Sequence, residues 1–174
     1  DEIYNLAVSG NYRVRPATDV LETWTEITNG EKGDIVLREY ASAFLPLRAG
    51  DLYLSYLTGA RCAECRIQTE KVRRGLRVIE GVDGVRTTHL THAEAIFSLA
   101  GQPCENRGAT IGATLLYTGN TKLKVNWIDE DYVCFSAGIH SDNSAYRLGR
   151  GKTFTTPVLA LCWSGEGVGG VSRQ

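Results

Sequence analysis

The chain of 174 residues contains no methionine, only four prolines and no long apolar run. None of its apolar stretches approaches the roughly 18 residues that a membrane-spanning helix needs, so no membrane span is predicted. Residues 1–10 have neither a basic start nor an apolar stretch, and no signal peptide is predicted. Because translation begins with methionine, we expect the chain to be processed or to be a piece of something longer.

An excess of charge of one sign is also missing. Nineteen Lys and Arg face 20 Asp and Glu, a net charge of −1, which argues against a nucleic-acid binder and against a protein that binds anionic membranes. Hydrophobic residues make up 43% and charged residues 22%, which is ordinary globular composition and excludes a disordered chain. The length fits one domain over residues 1–174, because no linker, repeat or low-complexity tract divides it.

Cysteine is present five times, an odd number with irregular spacing, which does not indicate a disulfide framework. A reducing compartment, and therefore the cytoplasm, is the expected location. Cys62 and Cys65 have the C-x-x-C spacing of zinc or redox sites, but a second such pair is missing. His89 and His92 could complete a Cys₂His₂ set. We nevertheless expect neither a metal nor another cofactor.

Motifs for self-sufficient catalysis are absent as well. There is no G-x-S-x-G elbow, and the acidic cluster at residues 129–131 is expected to be a solvated turn. Residues 165–170 match G-x-G-x-x-G, but no helix is expected after them, so a phosphate loop is not predicted. By residue chemistry alone the chain does not look like a complete enzyme.

What the sequence has in abundance is turn signals, with 19 glycines between short β-branched and aromatic runs. This pattern predicts an all-β sandwich or barrel. Asn29-Gly30 predicts a hairpin between residues 20–27 and 35–40. Residues 91–99 start with a Thr-x-x-Glu capping box and indicate either one short helix or an extended crossing segment. The other predicted strands are residues 51–57, 64–71, 76–80, 110–118, 122–128, 132–137 and 154–163, with Pro157 at a strand edge or bulge.

An ordered set of motifs runs through most of residues 12–174. It resembles the N-terminal β-supersandwich of α-galactosidases in glycoside hydrolase family thirty-six. The segments that carry the resemblance upstream are Asn29-Gly30, residues 37–43, Leu57-Thr58-Gly59 with Glu64, and residues 80–89. The segments downstream are residues 115–120, 135–139, 146–157, Trp163-Ser164, residues 165–168 and Ser172-Arg173.

The resemblance implies a galactose-mutarotase-like fold of two large, mainly antiparallel sheets with at most one short helix. It also implies an accessory domain of a retaining glycosidase that acts on terminal α-galactosides. The nucleophile and the acid/base of such an enzyme are two Asp side chains on a following (β/α)₈ barrel, about 5 Å apart. No residue here then has a catalytic role. The implied partners are the barrel, a galactoside or related oligosaccharide bound through the parent enzyme, and other copies of the chain in a homo-oligomer.

The same resemblance implies substrate-facing residues. Arg61 stands where the family often has a Trp, which replaces an apolar stacking face by a guanidinium that hydrogen-bonds hydroxyls. Arg61, Glu64 and His89 are the expected substrate-binding candidates, on the loop of residues 59–64 and the segment 86–89. The alternative is a free-standing carbohydrate-binding β-module without catalysis, with Trp24, Trp127 or Trp163 as stacking platform. Core packing is the expected role of each tryptophan.

Overall fold

The computed structural model describes residues 4–85, 90–141 and 145–174. Over these ranges the chain forms strands joined mostly by short turns, followed by one short helix. The elements are β1 (Leu6–Arg15), β2 (Val20–Asn29), β3 (Ile35–Leu37), β4 (Ala43–Arg48), β5 (Tyr53–Thr58), β6 (Arg66–Lys71), β7 (Gly75–Gly81), β8 (Glu94–Ser98), β9 (Thr110–Leu115), β10 (Thr121–Trp127), β11 (Tyr132–Ile139), β12 (Tyr146–Leu148), β13 (Thr153–Thr155), β14 (Leu159–Ser164) and α1 (Gly167–Ser172).

The strands form two principal sheets. The large sheet has the order β1-β2-β14-β9-β8-β5-β6, with β13 also paired to β2, and the small sheet has the order β4-β11-β10-β7. Strands β12 and β3 make a separate two-stranded ribbon. All of these strand pairs are antiparallel. The predicted fold class, two mainly antiparallel sheets with at most one short helix, is confirmed for the described residues. No helix within those residues has the length and apolar character to cross a bilayer.

The core lies between the two sheets. Leu54, Phe97 and Leu159 of the large sheet and Val125 and Phe135 of the small sheet are at most 1% exposed and belong to one apolar cluster. The Phe97 and Phe135 rings meet edge to face across the interface, with their centroids 5.0 Å apart. Because side chains alternate along a strand, each sheet presents one apolar face to the other.

The segment 91–99 is extended. The helix that its capping box suggested is wrong, and the extended conformation of the alternative is confirmed. Instead of crossing between the sheets, β8 is an inner strand of the large sheet, paired with both β5 and β9. Ala95 and Phe97 are buried in the core, whereas Glu94 and Ile96, which alternate with them, are half-buried on the opposite face. Ser98 at the end of the strand is buried as well, so three of the five side chains are buried. The sheet supplies hydrogen bonds on both sides of the strand.

The predicted Asn29-Gly30 hairpin is wrong. Strand β3 pairs with β12, whereas β2 pairs with β1, β13 and β14. Asn29 is 0% exposed, and its Nδ2 donates to the carbonyl oxygens of Gly33 and Leu148, both at 2.9 Å. Its Oδ1 accepts a hydrogen bond from the backbone N–H of Glu31 at 2.9 Å. Asn29 is therefore a buried anchor between the end of β2 and the ribbon.

Pro157 lies at a bulge, as predicted. Thr155 is opposite Glu26, whereas Leu159 is opposite Thr23, so three residues of the β13–β14 run face only two of β2. The extra residue leaves Pro157 without a ladder hydrogen bond to donate, which suits a residue that has no N–H. The structure thus divides the single strand predicted for residues 154–163 into β13 and β14.

We expect Phe97→Ala to lower the free energy of unfolding by about 3–5 kcal/mol, because it removes a fully buried ring from the contact between the sheets. Phe44→Ala is the matched control, since Phe44 is 67% exposed on the small sheet and should change stability by no more than about 0.5 kcal/mol. Urea unfolding monitored by circular dichroism measures both. Equal losses in the two variants would contradict the assignment of the core.

We expect Asn29→Ala to lower the free energy of unfolding by about 2–3 kcal/mol, because it leaves the buried Leu148 carbonyl oxygen, the Gly33 carbonyl oxygen and the Glu31 N–H without their partner. Asn11→Ala is the control: Asn11 is only half-buried, and its Nδ2 donates to the nearby Ser9 carbonyl oxygen at 3.3 Å. Urea midpoints that shift equally for the two variants would show that the Asn29 network adds no stability.

Candidate functional site

The loop of residues 59–65 joins β5 to the edge strand β6 of the large sheet. Its base is fixed by the register that places Thr58 opposite Arg66, and by the hydrogen bond from the Gly59 N–H to the Leu90 carbonyl oxygen at 2.9 Å. Within the loop, the backbones of Ala60 and Ala63 hydrogen-bond each other in both directions, at 3.3 and 2.9 Å. Arg61 and Cys62 therefore form the tip of a tight turn at the surface.

Two of the three predicted substrate-binding residues lie on this turn. Arg61 and Glu64 are both exposed, and the Glu64 Oε1 accepts a hydrogen bond from the backbone N–H of Cys62 at 3.0 Å. The Glu64 carboxylate thus helps to shape the tip that carries Arg61. The third candidate, His89, and the segment 86–89 lie outside the described residues. The substrate contacts of all three residues stay a prediction.

The two cysteines of the C-x-x-C pair occupy strained positions in the same loop. Cys62 and Cys65 have φ angles of +62° and +57°, a left-handed conformation that is costly for residues with a side chain. Both are exposed, and the Cys65 Sγ lies 3.7 Å from the Nε2 of His92. Among the described residues, no group of three or more His, Cys, Asp or Glu side chains could hold a metal ion.

A groove of about 680 Å³ adjoins this loop on the outer face of the large sheet. Its walls include Leu57 and Ile67, which flank the loop on β5 and β6. Its floor includes the small side chains of Thr114 on β9 and of Ala160 and Cys162 on β14. Burial raises the pKa of the Cys162 thiol, so this cysteine stays protonated at neutral pH. No sequence pattern predicted the groove, because its floor is assembled from strands that are distant along the chain.

Helix α1 forms one wall of the groove and was not expected from the sequence. The helix is rich in glycine, which is a poor helix former. Glycine is nevertheless needed here, because the loop at residues 104–108 approaches the helix backbone too closely to leave room for side chains. The N–H groups of Gly167, Val168 and Gly169 donate to carbonyl oxygens of that loop, each at 3.0 Å. A Cβ on Gly167 would collide with the loop backbone. Tertiary packing therefore overrides the low helix propensity.

The three tryptophans differ in environment. Trp127 packs against the main core, which confirms its expected role. Trp24 is half-buried: its Nε1 donates to Glu26 at 3.3 Å, and the Arg13 guanidinium lies 5.5 Å from the ring centroid. Trp163 is 59% exposed, so the expectation of core packing is wrong for this residue. Trp163 is the second-last residue of β14, on the same side of the strand as Leu159 and Leu161, which are buried.

Comparison with known proteins gives consistent results. The family model for the glycosyl hydrolase family 36 N-terminal domain matches residues 1–149. The chain is 28% identical over 176 residues to α-galactosidase C of Emericella nidulans, and 27% identical over 174 residues to α-galactosidase 2 of Hypocrea jecorina. In both cases the match covers 100% of this chain and 23% of the relative. The chain thus spans about a quarter of the length of these relatives.

Solved structures show the same fold. An α-galactosidase from Lactobacillus brevis superposes with a TM-score of 0.92 at 24% identity, covering 99% of this chain and 23% of that one. A family 36 α-galactosidase from Geobacillus stearothermophilus, crystallised with stachyose, superposes with a TM-score of 0.93 at 21% identity. The superposition covers 99% of this chain and 24% of that one. From its match over most of its length, the chain belongs to the N-terminal domain family of glycosyl hydrolase family 36.

Proposed function

We propose that residues 1–174 form the accessory N-terminal domain of an α-galactosidase-type glycoside hydrolase that acts on terminal α-galactosides. The observation that carries this proposal is the end-to-end match to the first quarter or so of the length of proteins named α-galactosidases. Relatives that carry this fold include one crystallised with stachyose.

The chemistry of such an enzyme divides between two parts of the protein. Retaining hydrolysis needs two carboxyl groups about 5 Å apart, one to attack the anomeric carbon and one to act as acid and then as base. We assign that pair to a (β/α)₈ barrel, which takes about 250 residues and fits within the greater length of the relatives. The present chain then supports the barrel and contributes to the wall of its substrate pocket.

The groove and the loop beside it are the surface that we propose faces this barrel. The groove is lined more by apolar than by polar atoms, and Leu57 and Ile67 join it to the loop of residues 59–65. A barrel packed there would bring the exposed Arg61 guanidinium toward a sugar bound at the barrel. Arg61 donates up to five hydrogen bonds, which suits sugar hydroxyls. Glu64 and His89 remain the other proposed contacts.

The remaining partners follow from the same proposal. The substrate is a galactoside or related oligosaccharide bound through the parent enzyme, and further copies of the chain form a homo-oligomer. Neither nucleic acid nor a membrane is proposed as a partner, because the net charge is −1. We propose the cytoplasm as the location, since all five cysteines are free thiols.

We expect the isolated chain not to hydrolyse an aryl α-galactoside, whereas the protein encoded by the extended reading frame should hydrolyse it. The reason is that the carboxylate pair is assigned to the barrel. Release of the aryl alcohol under identical conditions measures both proteins. Turnover by the pure isolated chain, or a reading frame that ends after Gln174, would contradict the proposal.

In the full-length enzyme we expect Arg61→Ala to lower kcat/KM by the equivalent of about 1–3 kcal/mol, the range for a hydrogen bond to a charged group. The melting temperature should barely change, because Arg61 is exposed at a turn. Arg73→Ala is the matched control: Arg73 is exposed beyond the opposite end of β6. A fall in melting temperature with unchanged kinetics would make Arg61 a scaffold residue.

The second candidate function is a free-standing carbohydrate-binding module, and the exposure of Trp163 favours it. An indole ring that is 59% exposed offers a flat face for a pyranose ring. Under this function the isolated chain binds oligosaccharides, and Trp163→Ala abolishes binding. If the chain is an accessory domain, galactosides bind only when the barrel is present.

A further inference from the structure

We propose that Cys65 and Cys62 form a reversible thiol–disulfide site, in which His92 activates Cys65 and Cys62 resolves the resulting mixed disulfide. The co-reactant is a small-molecule disulfide of the glutathione class. The inference uses only groups of the β5–β6 loop and the segment beside it, and it is tested on the chain of residues 1–174, in which Cys62 and Cys65 are exposed.

The first observation is the contact between Cys65 and His92. The 3.7 Å distance between Sγ and Nε2 is within reach of a hydrogen bond that involves sulfur. When the imidazole carries its proton on Nδ1, Nε2 can accept the thiol proton, and the thiolate that remains is the nucleophile of disulfide exchange. An imidazole beside a thiol is the arrangement that activates reactive cysteines.

Backbone hydrogen bonds hold both partners of this contact in place. Cys65 directly precedes the first residue of β6, Arg66, which is in register with Thr58. The His92 backbone N–H donates to the Leu57 carbonyl oxygen at 3.3 Å. The preceding residue, Thr91, forms an antiparallel β-bridge with Thr58. The Sγ and Nε2 atoms therefore meet because both segments are tied to the end of β5.

The second observation is Cys62, an exposed thiol three residues earlier on the same turn. C-x-x-C spacing places a resolving thiol next to an attacking thiol. The Cys62 backbone N–H donates to the Glu64 Oε1 at 3.0 Å, which holds the turn that carries both thiols. Of the two thiols, Cys65 is the one whose Sγ lies 3.7 Å from the His92 imidazole. This contact assigns the attack to Cys65 and the resolution to Cys62.

The exchange balances without a further reagent. The Cys65 proton passes to His92 Nε2, and the thiolate attacks one sulfur of the external disulfide. That S–S bond breaks, and the released thiolate takes the proton back from His92. The Cys62 thiol then loses its proton to solvent, attacks the Cys65 sulfur and expels the second small thiol, which is protonated by solvent. Two protein thiols are oxidised and one external disulfide is reduced to two thiols.

Peptide mapping tests the site directly. The full chain is incubated with oxidised glutathione, quenched in acid and digested with trypsin, which cleaves after Arg61 and Arg66 and releases residues 62–66 with both cysteines. We expect this peptide to lose the mass of two hydrogens and to recover it in excess reduced glutathione. Cys104 is the internal standard, because hydrogen bonding by the Asn106 backbone lowers the pKa of its thiol and favours its reaction with glutathione. A 62–66 peptide that stays reduced under conditions that modify Cys104 would overturn the proposal.

Single variants separate the two roles. In Cys62→Ser the glutathione adduct should persist on Cys65, because the resolving thiol is gone. In Cys65→Ser the glutathione adduct on Cys62 should form about tenfold more slowly at neutral pH than the Cys65 adduct forms in Cys62→Ser, because His92 does not activate Cys62. Adducts that form at equal rates on the two cysteines would overturn the assignment of roles.

The His92→Gln variant tests the base. We expect glutathione to modify Cys65 about tenfold more slowly at pH 7 in this variant than in the unchanged chain. We also expect the increase of this rate with pH to begin at a higher pH in the variant. His140→Gln is the matched control, because His140 pairs with Glu80 at 2.9 Å and has no part in the proposed exchange. Circular dichroism verifies that both variants fold. An unchanged rate and pH profile in folded His92→Gln would overturn the role of His92, and the two serine variants test the site if that variant unfolds.

Discussion

The burial of one apolar face of each sheet against the other is the interaction on which the rest of this molecule depends. Phe97 and Phe135 meet at its centre, and the surrounding aliphatic side chains come from strands of both sheets. Burial of apolar surface is the main favourable contribution to folding, so this contact fixes which side points inward in the strands that contribute to it. The outward side, including the groove and the loop at residues 59–65, is defined as a consequence.

The chemistry-bearing loop inherits its geometry from this framework. Strand β5 is anchored in the core by Leu54, and it aligns β6 on one side and β8 with its preceding residues on the other. Because His92 reaches Cys65 from the β8 side, two segments 27 residues apart in the chain meet at the end of one strand. A surface loop without such a base would not hold a sulfur and an imidazole nitrogen at a fixed distance.

Local signals failed where long-range partners offered more hydrogen bonds or more buried area. Asn29-Gly30 has the sequence of a tight hairpin, but the fully buried Asn29 side chain satisfies three backbone groups, those of Gly33, Leu148 and Glu31. The Thr-x-x-Glu motif at residues 91–94 has the sequence of a helix start, but β8 fills a gap between β5 and β9. In both cases the competing partner lies far away in sequence, and propensity is too weak to resist it.

The sequence by itself determined the fold class, the positions of most strands, the placement of Pro157 at a strand edge or bulge, and the family resemblance, because alternation of side chains and turn residues are local properties of a chain. It also singled out Cys62, Cys65 and His92 as chemically notable residues. Only the tertiary structure decided that Cys65 and His92 are in contact, that Trp163 is exposed, and that glycine-rich residues 167–172 form a helix. These depend on which distant strands become neighbours, and that choice is made by the burial of the two sheet faces rather than by any local pattern.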